Sequence, residues 1–174
     1  MIYLAGPDVF LPDAADIGRR KLALCTAAGL EGFFPLEDGL GAEPGSRAIF
    51  DANLALMERA EAIIANLTPF RGPSADPGTV FELGYMAGRG TFCVGYSNDP
   101  RPYADRVRAS AHDRGHRIED FGLADNLMIV HALDAFGAPV VVPEAPPADP
   151  WHDLTAFEAC VRLVAAWTKG RRGQ

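Results

Sequence analysis

The chain has 174 residues, of which 48% are hydrophobic and 22% charged, so it suits a single compact domain over residues 1–174 rather than a disordered or fibrous chain. Its formal net charge of −7 and pI near 5.0 disfavour a nucleic-acid polymer as partner and favour a small molecule. The 3 cysteines have neither disulfide-framework nor metal-ligand spacing, and without a basic leader or a long apolar run the sequence predicts a cytoplasmic protein with no membrane partner.

Strands and helices alternate in the predicted order of elements up to residue 96. The first strand, over residues 1–5, is apolar and stops at Gly6-Pro7, which is typical of a buried strand that leads into a loop. The elements predicted next are a helix over 13–28, a strand over 32–36, a helix over 46–60, a strand over 61–67, a helix that begins at Asp76, and a strand over 91–96.

The second half of the chain is less regular. A polar, Arg- and His-bearing stretch runs to Asp120, a helix is predicted from Asp125 or Asn126 to Phe136, and a final amphipathic helix over 151–168. The apolar segment 138–142 is either a fifth strand or an edge addition. The alternation predicts a single-domain α/β fold, flavodoxin-like (doubly wound), in which helices cover both faces of a mostly parallel five-stranded sheet.

The loops after the first four strands are predicted to converge on one crevice. Ligands of open α/β sheets bind beyond the carboxyl ends of the strands, where the strand order switches. These loops carry, in chain order, Asp8 and Phe10, Pro35 to Asp38, Phe70 to Asp76, and Ser97 to Asp99.

The segment Asp76–Gly84, with the sequence DPGTVFELG, places two carboxylates beside a predicted helix start. Paired carboxylates suit the chemistry of sugar bonds, in which one acid attacks or stabilises an electron-poor carbon and the other carries a proton. An ordinary helix cap explains the same residues, with Asp76 accepting backbone N–H groups, Pro77 in the first turn and Glu82 solvated. Residue types alone leave both interpretations open.

Four segments occur here in the order seen in nucleoside 2-deoxyribosyltransferases, and the chain resembles that family over most of its length. They are residues 3–7 (YLAGP), Asn66, Asp76–Gly84, and residues 125–128 (DNLM). The resemblance implies a retaining double displacement that exchanges the base of a 2′-deoxyribonucleoside. Its partners would be deoxynucleosides and free nucleobases, and the chemistry needs no metal or other cofactor.

The resemblance assigns three catalytic roles. Glu82 would attack C1′ and hold a covalent deoxyribosyl intermediate, Asp76 would handle the proton of the base, and Tyr3 would hydrogen-bond and orient Glu82. The dipole of the helix favours the ionised form of Glu82, so we expect a carboxylate at neutral pH. An acid role for Asp76 requires burial or nearby negative charge.

Substrate-binding roles are implied for Asp8, Phe10, Asn53 and Gly78. Phe10 suits stacking on a base, Asp8 a hydrogen bond to a hydroxyl or a base edge, and Asn53 a contact with the base. Each of these three has a plain alternative, namely packing for Phe10, a solvated loop charge for Asp8, and an exposed helix face for Asn53. For Tyr3 the alternative is a core aromatic.

Asp125, Asn126 and Met128 match a segment that, in the family, reaches from a neighbouring subunit to the sugar 5′-hydroxyl. The resemblance therefore implies a homo-oligomer with shared active sites. A helix N-cap at Asp125 or Asn126 is the rival interpretation, and the two can coexist.

Two other functions compete with base exchange. One is a hydrolase of deoxynucleoside 5′-monophosphates, which would need cations, hydroxyls or a helix N-terminus near the 5′ position. The first loop carries Asp8 and Asp13 but no Arg or Ser before Asp16, which favours an uncharged hydroxyl. The other is a nucleotide-binding module without chemistry. The 4 histidines, at 112, 116, 131 and 152, lack metal spacing and are expected on the surface or in packing roles.

Overall fold

The computed structural model of the protein describes residues 1–35, 45–110 and 115–172. The strands in these ranges are β1 (Ile2–Ala5), β2 (Gly32–Phe33), β3 (Ala62–Asn66) and β4 (Phe92–Tyr96). The α-helices are α1 (Ala14–Ala27), α2 (Ser46–Arg59), α3 (Pro77–Gly88), α4 (Tyr103–Ala109), α5 (Leu127–Phe136) and α6 (Thr155–Arg172). A 3₁₀ turn, Pro7–Phe10, follows β1.

The strands form a parallel sheet in the order β2-β1-β3-β4. From β1 the chain first adds β2 on one side and then crosses to add β3 and β4 on the other. The strand order therefore switches between β1 and β3, and the carboxyl ends of these two strands flank the expected ligand crevice. The predicted doubly wound α/β fold is confirmed.

The prediction of five strands is wrong, since the sheet has four. The segment that follows α5 runs beside β4 but meets it only in isolated parallel bridges at Gly137 and Val141. Pro139 lies between these bridges and has no N–H to donate, so a continuous hydrogen-bonded ladder cannot form. The segment is thus an edge addition.

Buried side chains of β1 alternate between two cores, one on each face of the sheet. Ile2 and Leu4 pack in the core covered by α1 and α6. Tyr3 and Ala5 pack in the core covered by α2, α3 and α5. This alternation places Tyr3 on the face of the sheet that α3 covers.

Helix α4 lies in the stretch that the sequence predicts to be irregular. Its buried side chains are Ala104 and Arg106, so the apolar periodicity that reveals a helix is missing there. The predicted second strand is shorter than expected, and Leu36 to Asp38 of its loop, like His112, lie outside the described residues. Within the described ranges, no helix combines the length and apolar character needed to cross a membrane.

Candidate active site

A hydrogen bond between Tyr3 and Glu82 joins the central strand β1 to helix α3. Tyr3 Oη donates to Glu82 Oε1 at 2.7 Å, and Tyr3 is fully buried. Burial and the neighbouring Glu82 charge raise the pKa of Tyr3 above its ordinary value, so the phenol remains a proton donor at neutral pH. The core position of Tyr3 and its contact with the acid, which the sequence offered as alternatives, occur together.

Burial sets the ionisation of Glu82. Desolvation raises the pKa of this carboxyl to about 7, and the charge of Asp76 adds to the increase, while the hydrogen bond from Tyr3 opposes it. Burial therefore outweighs the effect of the helix dipole, which was expected to keep Glu82 ionised at neutral pH. A group with this pKa can act as a nucleophile near pH 7 and be switched off by mild acid.

Asp76 caps helix α3. Its Oδ2 accepts hydrogen bonds from Thr79 N at 2.9 Å and from Thr79 Oγ1 at 3.2 Å. The predicted helix cap is thus confirmed. Both bonds that its carboxylate accepts from described residues fall on Oδ2, which leaves Oδ1 able to meet a ligand, so the cap and the proton-transfer role are compatible.

Gly78 gives the Asp76 carboxylate its space. A Cβ on Gly78 would lie 2.9 Å from Asp76 Oδ2, closer than atoms normally approach. The backbone at Gly78 is helical, so a larger residue here would displace the Asp76 carboxylate rather than strain the backbone. Its role in binding a substrate stays a prediction.

An aromatic cluster stands at the carboxyl ends of β1 and β3. Phe10, 58% exposed, stacks on Phe70 with ring centroids 5.4 Å apart, and Trp151 meets Phe70 edge-on at 6.1 Å. The guanidinium of Arg71 lies 5.1 Å from the Phe10 ring and 4.6 Å from the Phe70 ring. The packing alternative for Phe10 is borne out in part, yet more than half of the residue stays available to a ligand.

The sequence places Phe70 and Arg71 in a loop at the crevice without giving either a role, and it does not indicate Trp151 as a neighbour of the site. Arg71 has φ 55°, a left-handed conformation that costs a residue other than glycine about 1–3 kcal/mol. Only its place in the loop after β3 could have singled it out, since such loops end at the ligand crevice.

Asp8 is placed differently from both sequence interpretations. It is buried, its carboxylate accepts from Asn66 Nδ2 at 3.1 and 3.0 Å, and Lys21 Nζ lies 2.8 Å from its Oδ2. The interpretation of Asp8 as a solvated loop charge is therefore wrong. The carboxylate is buried, and the buried ammonium of Lys21 compensates its charge. Its contact with a substrate stays a prediction that this burial does not favour.

Asp125 fastens the loop after β3 to the start of α5. Its carboxylate accepts from Ser74 Oγ and from Ala75 N, the latter at 3.0 Å, and Arg106 Nη2 lies 3.5 Å away. These partners belong to the same chain as Asp125, so the carboxylate holds the loop that leads into Asp76.

The next residues, Asn126 and Met128, face outward. Asn126 Oδ1 accepts from Met128 N at 3.0 Å and caps α5, which confirms the N-cap interpretation for Asn126. Met128 is 72% exposed. Among the described residues, neither Asn126 nor Met128 forms a hydrogen bond with Glu82 of the same chain. Their contact with a substrate bound by a neighbouring subunit stays a prediction.

Asn53 lies on α2, half-buried. The exposed helix face that was its alternative is thus met only in part, and its contact with a base stays a prediction. Among the described residues, no group of three or more His, Cys, Asp and Glu side chains is arranged to hold a metal ion.

Comparison with known proteins adds sequence evidence to this geometry. The family model for nucleoside 2-deoxyribosyltransferases matches residues 2–128, a span that includes Tyr3, Asp76 and Glu82. A 2-desoxiribosyltransferase from Leishmania mexicana is 31% identical to the chain, with a TM-score of 0.68, and the match covers 92% of this chain and 96% of that one.

A more distant likeness concerns the fold. A 2-deoxyribosyltransferase from Bacillus psychrosaccharolyticus is 21% identical, with a TM-score of 0.52 over 76% of this chain and 81% of that one. An uncharacterized protein of Schizosaccharomyces pombe is 38% identical over 115 residues, which are 62% of this chain. The chain spans only 54% of the length of that curated relative.

Proposed function

Because the chain belongs to the nucleoside 2-deoxyribosyltransferase family, we propose that it exchanges the base of 2′-deoxyribonucleosides with retention at C1′. The observation that carries this proposal is the hydrogen bond of 2.7 Å that Tyr3 donates to Glu82. This bond orients a carboxyl group whose pKa is about 7 and whose neighbour is a second acid, Asp76. In the described ranges no Lys or Arg forms an ion pair with Glu82 or Asp76. The two fully buried acids of these ranges, Asp8 and Asp125, each have one.

The first half of the reaction joins the sugar to the enzyme. Tyr3 holds Oε1 of Glu82, so Oε2 attacks C1′ and forms an ester-like bond while the bond from C1′ to the base nitrogen breaks. The electron pair of the broken bond goes to the base. Asp76 delivers a proton to a ring nitrogen, which makes the base a better leaving group.

The second half runs these steps in reverse with another base. Asp76, now ionised, accepts the proton of the incoming base, whose nitrogen attacks C1′ and releases the Glu82 carboxylate. Two inversions give overall retention. The exposed part of Phe10 is suited to stack on either base.

Incubation with one deoxynucleoside and a second free base tests the function. Chromatography should detect the new deoxynucleoside, and mass spectrometry should find one added deoxyribosyl group on Glu82. Glu82→Ala should abolish both signals, while Glu61→Ala, at a carboxylate outside the proposed site, should leave both unchanged. Binding of deoxynucleosides with neither exchange nor adduct, across purine and pyrimidine donors, would instead favour a binding module.

Arg71 favours a second candidate, a hydrolase of deoxynucleoside 5′-monophosphates. The absence of a cation from the first loop argues against phosphate, but the loop after β3 brings a guanidinium to within 5.1 Å of the Phe10 ring. Turnover of 2′-deoxyadenosine and of its 5′-monophosphate should be compared with and without an acceptor base. A strong preference for the 5′-monophosphate that is lost in Arg71→Ala would favour the hydrolase over the base-exchanging enzyme.

We also infer that the active protein is a homo-oligomer with shared sites. The family resemblance of residues 125–128 supports this, together with the 72% exposure of Met128. Sedimentation should find more than one chain per particle. Mixing inactive Glu82→Ala with inactive Asn126→Ala should restore part of the activity if subunits complete each other's sites, whereas two variants that stay inactive after mixing would contradict sharing.

A further inference from the structure

Lys21 is a lysine of α1 that lies inside the protein. Only 2% of its side chain is exposed, and its ammonium lies 2.8 Å from Asp8 Oδ2. It also lies 5.2 to 5.8 Å from the centroids of the rings of Phe34, Tyr96 and Phe157. Burial lowers the pKa of Lys21, while the Asp8 carboxylate opposes that change. None of the proposed chemical steps uses this cation.

The ion pair is the first link of a series of buried contacts. Asp8 also accepts from the Asn66 side-chain amide, and the carbonyl oxygen of that amide accepts from Thr68 N at 3.0 Å. Thr68 Oγ1 in turn accepts from Asn98 N at 3.0 Å. The series therefore connects the loops that follow β1, β3 and β4.

Its far end reaches the segment before α6. The side-chain amide of Asn98 donates to the carbonyl oxygens of Pro150 and Asp153, at 2.6 and 3.0 Å. Between these two carbonyls lies Trp151, which packs edge-on against Phe70 of the aromatic cluster. The contacts thus underlie the same loops that carry the candidate site.

Asp8 is the point at which this series meets Phe10. Both residues belong to the 3₁₀ turn Pro7–Phe10, and Leu11 N donates to Asp8 O at 3.1 Å directly after Phe10. A Cβ at Gly6 would lie 2.5 Å from Asp8 Oδ2 and 2.7 Å from Asn66 Cβ, so the turn is pressed against the end of β3. Because the turn is held this closely, the position of the Phe10 ring is restricted.

We propose that Lys21 is a positioning residue for substrate binding, which acts through Asp8 to hold the turn that carries Phe10. The proposal rests on the proposed function, since that function gives Phe10 a base to stack on. A neutral side chain at position 21 would leave a buried carboxylate without its cation, which is strongly destabilising. With both charges removed, the fold is expected to persist while the turn loses its anchor.

The test therefore uses the double variant Lys21→Met/Asp8→Asn, alone and combined with Phe10→Ala. Calorimetry measures the affinity for 2′-deoxyinosine, and steady-state kinetics measure KM and kcat for base exchange. We expect the double variant to weaken affinity and raise KM about five- to tenfold, the lower end of the range for a lost base-stacking contact, with kcat changed less than about twofold. On the Phe10→Ala background the same two changes should have almost no further effect.

Cys25→Ala is the matched control. Cys25 lies one helical turn beyond Lys21 and is buried in the same core, so the variant loses packing without touching Asp8. Its affinity for 2′-deoxyinosine should equal that of the unmodified protein. Thermal unfolding checks that both variants are folded at the assay temperature.

Two results would overturn the proposal. One is an unchanged affinity in the folded double variant, and the other is an equal loss of affinity with and without Phe10. If the unmodified protein binds 2′-deoxyinosine but exchanges no base, the proposed function fails, while calorimetry still decides the role of Lys21.

Discussion

Replacing Tyr3 by Phe tests whether the phenol controls the ionisation of Glu82. The hydroxyl donates to Glu82 Oε1 at 2.7 Å, and this bond lowers the pKa of a carboxyl that burial and the Asp76 charge raise to about 7. Phenylalanine fills nearly the same volume in the core, so Tyr3→Phe removes the donor without opening a cavity. The expected effect is electrostatic rather than structural.

The size of the effect follows from the energy of the lost hydrogen bond. A hydrogen bond to a charged group contributes about 1.5–3 kcal/mol, and about 1.4 kcal/mol corresponds to one pKa unit. The pKa of Glu82 should therefore rise by roughly one to two units in the variant. At pH 7 the carboxylate fraction falls from about one half to between about 10% and 1%, so exchange should slow about 5- to 50-fold.

The assay is the pH dependence of kcat/KM for base exchange. The ascending limb, which reports the ionisation of Glu82, should move to higher pH in Tyr3→Phe, and the rate should approach that of the unmodified enzyme at alkaline pH. Tyr85→Phe is the control. Tyr85 also lies on α3, where its ring stacks on that of Phe81, and its replacement should not move the ascending limb along the pH axis. A rate lowered equally at all pH values would refute the reasoning.

Three further predictions concern helix α3. Glu82→Gln should raise the free energy of unfolding above pH 7 and leave it unchanged below about pH 4.5. The pKa of Glu82 is about 7 in the folded protein and 4.5 ordinarily, so ionisation of Glu82 destabilises the unmodified protein as the pH rises from 4.5 to 7. Thermal melts at several pH values measure the difference. Asp76→Asn should keep the cap of α3 and change the melting temperature little, yet slow exchange about 10²- to 10⁴-fold, and a large loss of stability would show that the residue serves mainly as the cap. Gly78→Ala should displace the Asp76 carboxylate and lower kcat while the melting temperature holds or rises, because alanine favours a helix more than glycine by about 1 kcal/mol; unchanged kcat would mean that Oδ2 needs no such space.

The fold could be predicted because its signals are local. Apolar runs bounded by glycine and proline mark β1, β3 and β4, and helical spacing between them marks α1, α2 and α3. The same signals fail where a single backbone group or a buried charge determines the secondary structure. Pro139 withholds one N–H, which turns an apolar run into an edge addition, and α4 buries Arg106 where a helix normally presents an apolar side chain.

The candidate site was predicted less completely, because the partners of its acids come from distant parts of the chain. Asp8, Asp76 and Asp125 each follow a predicted strand or precede a predicted helix, and residue type alone does not separate them. Folding gives Asp8 the cation Lys21 and gives Asp125 the cation Arg106, so each of these carboxylates is part of a buried ion pair. Among the described residues, Asp76 accepts hydrogen bonds only from the N–H and the hydroxyl of Thr79, both on one oxygen, and its charge raises the pKa of Glu82. In the described ranges Asp76 pairs with no Lys or Arg and lies beside a second acid, which supports the proton-transfer role proposed for it, and this contrast between three similar residues is what the sequence alone could not supply.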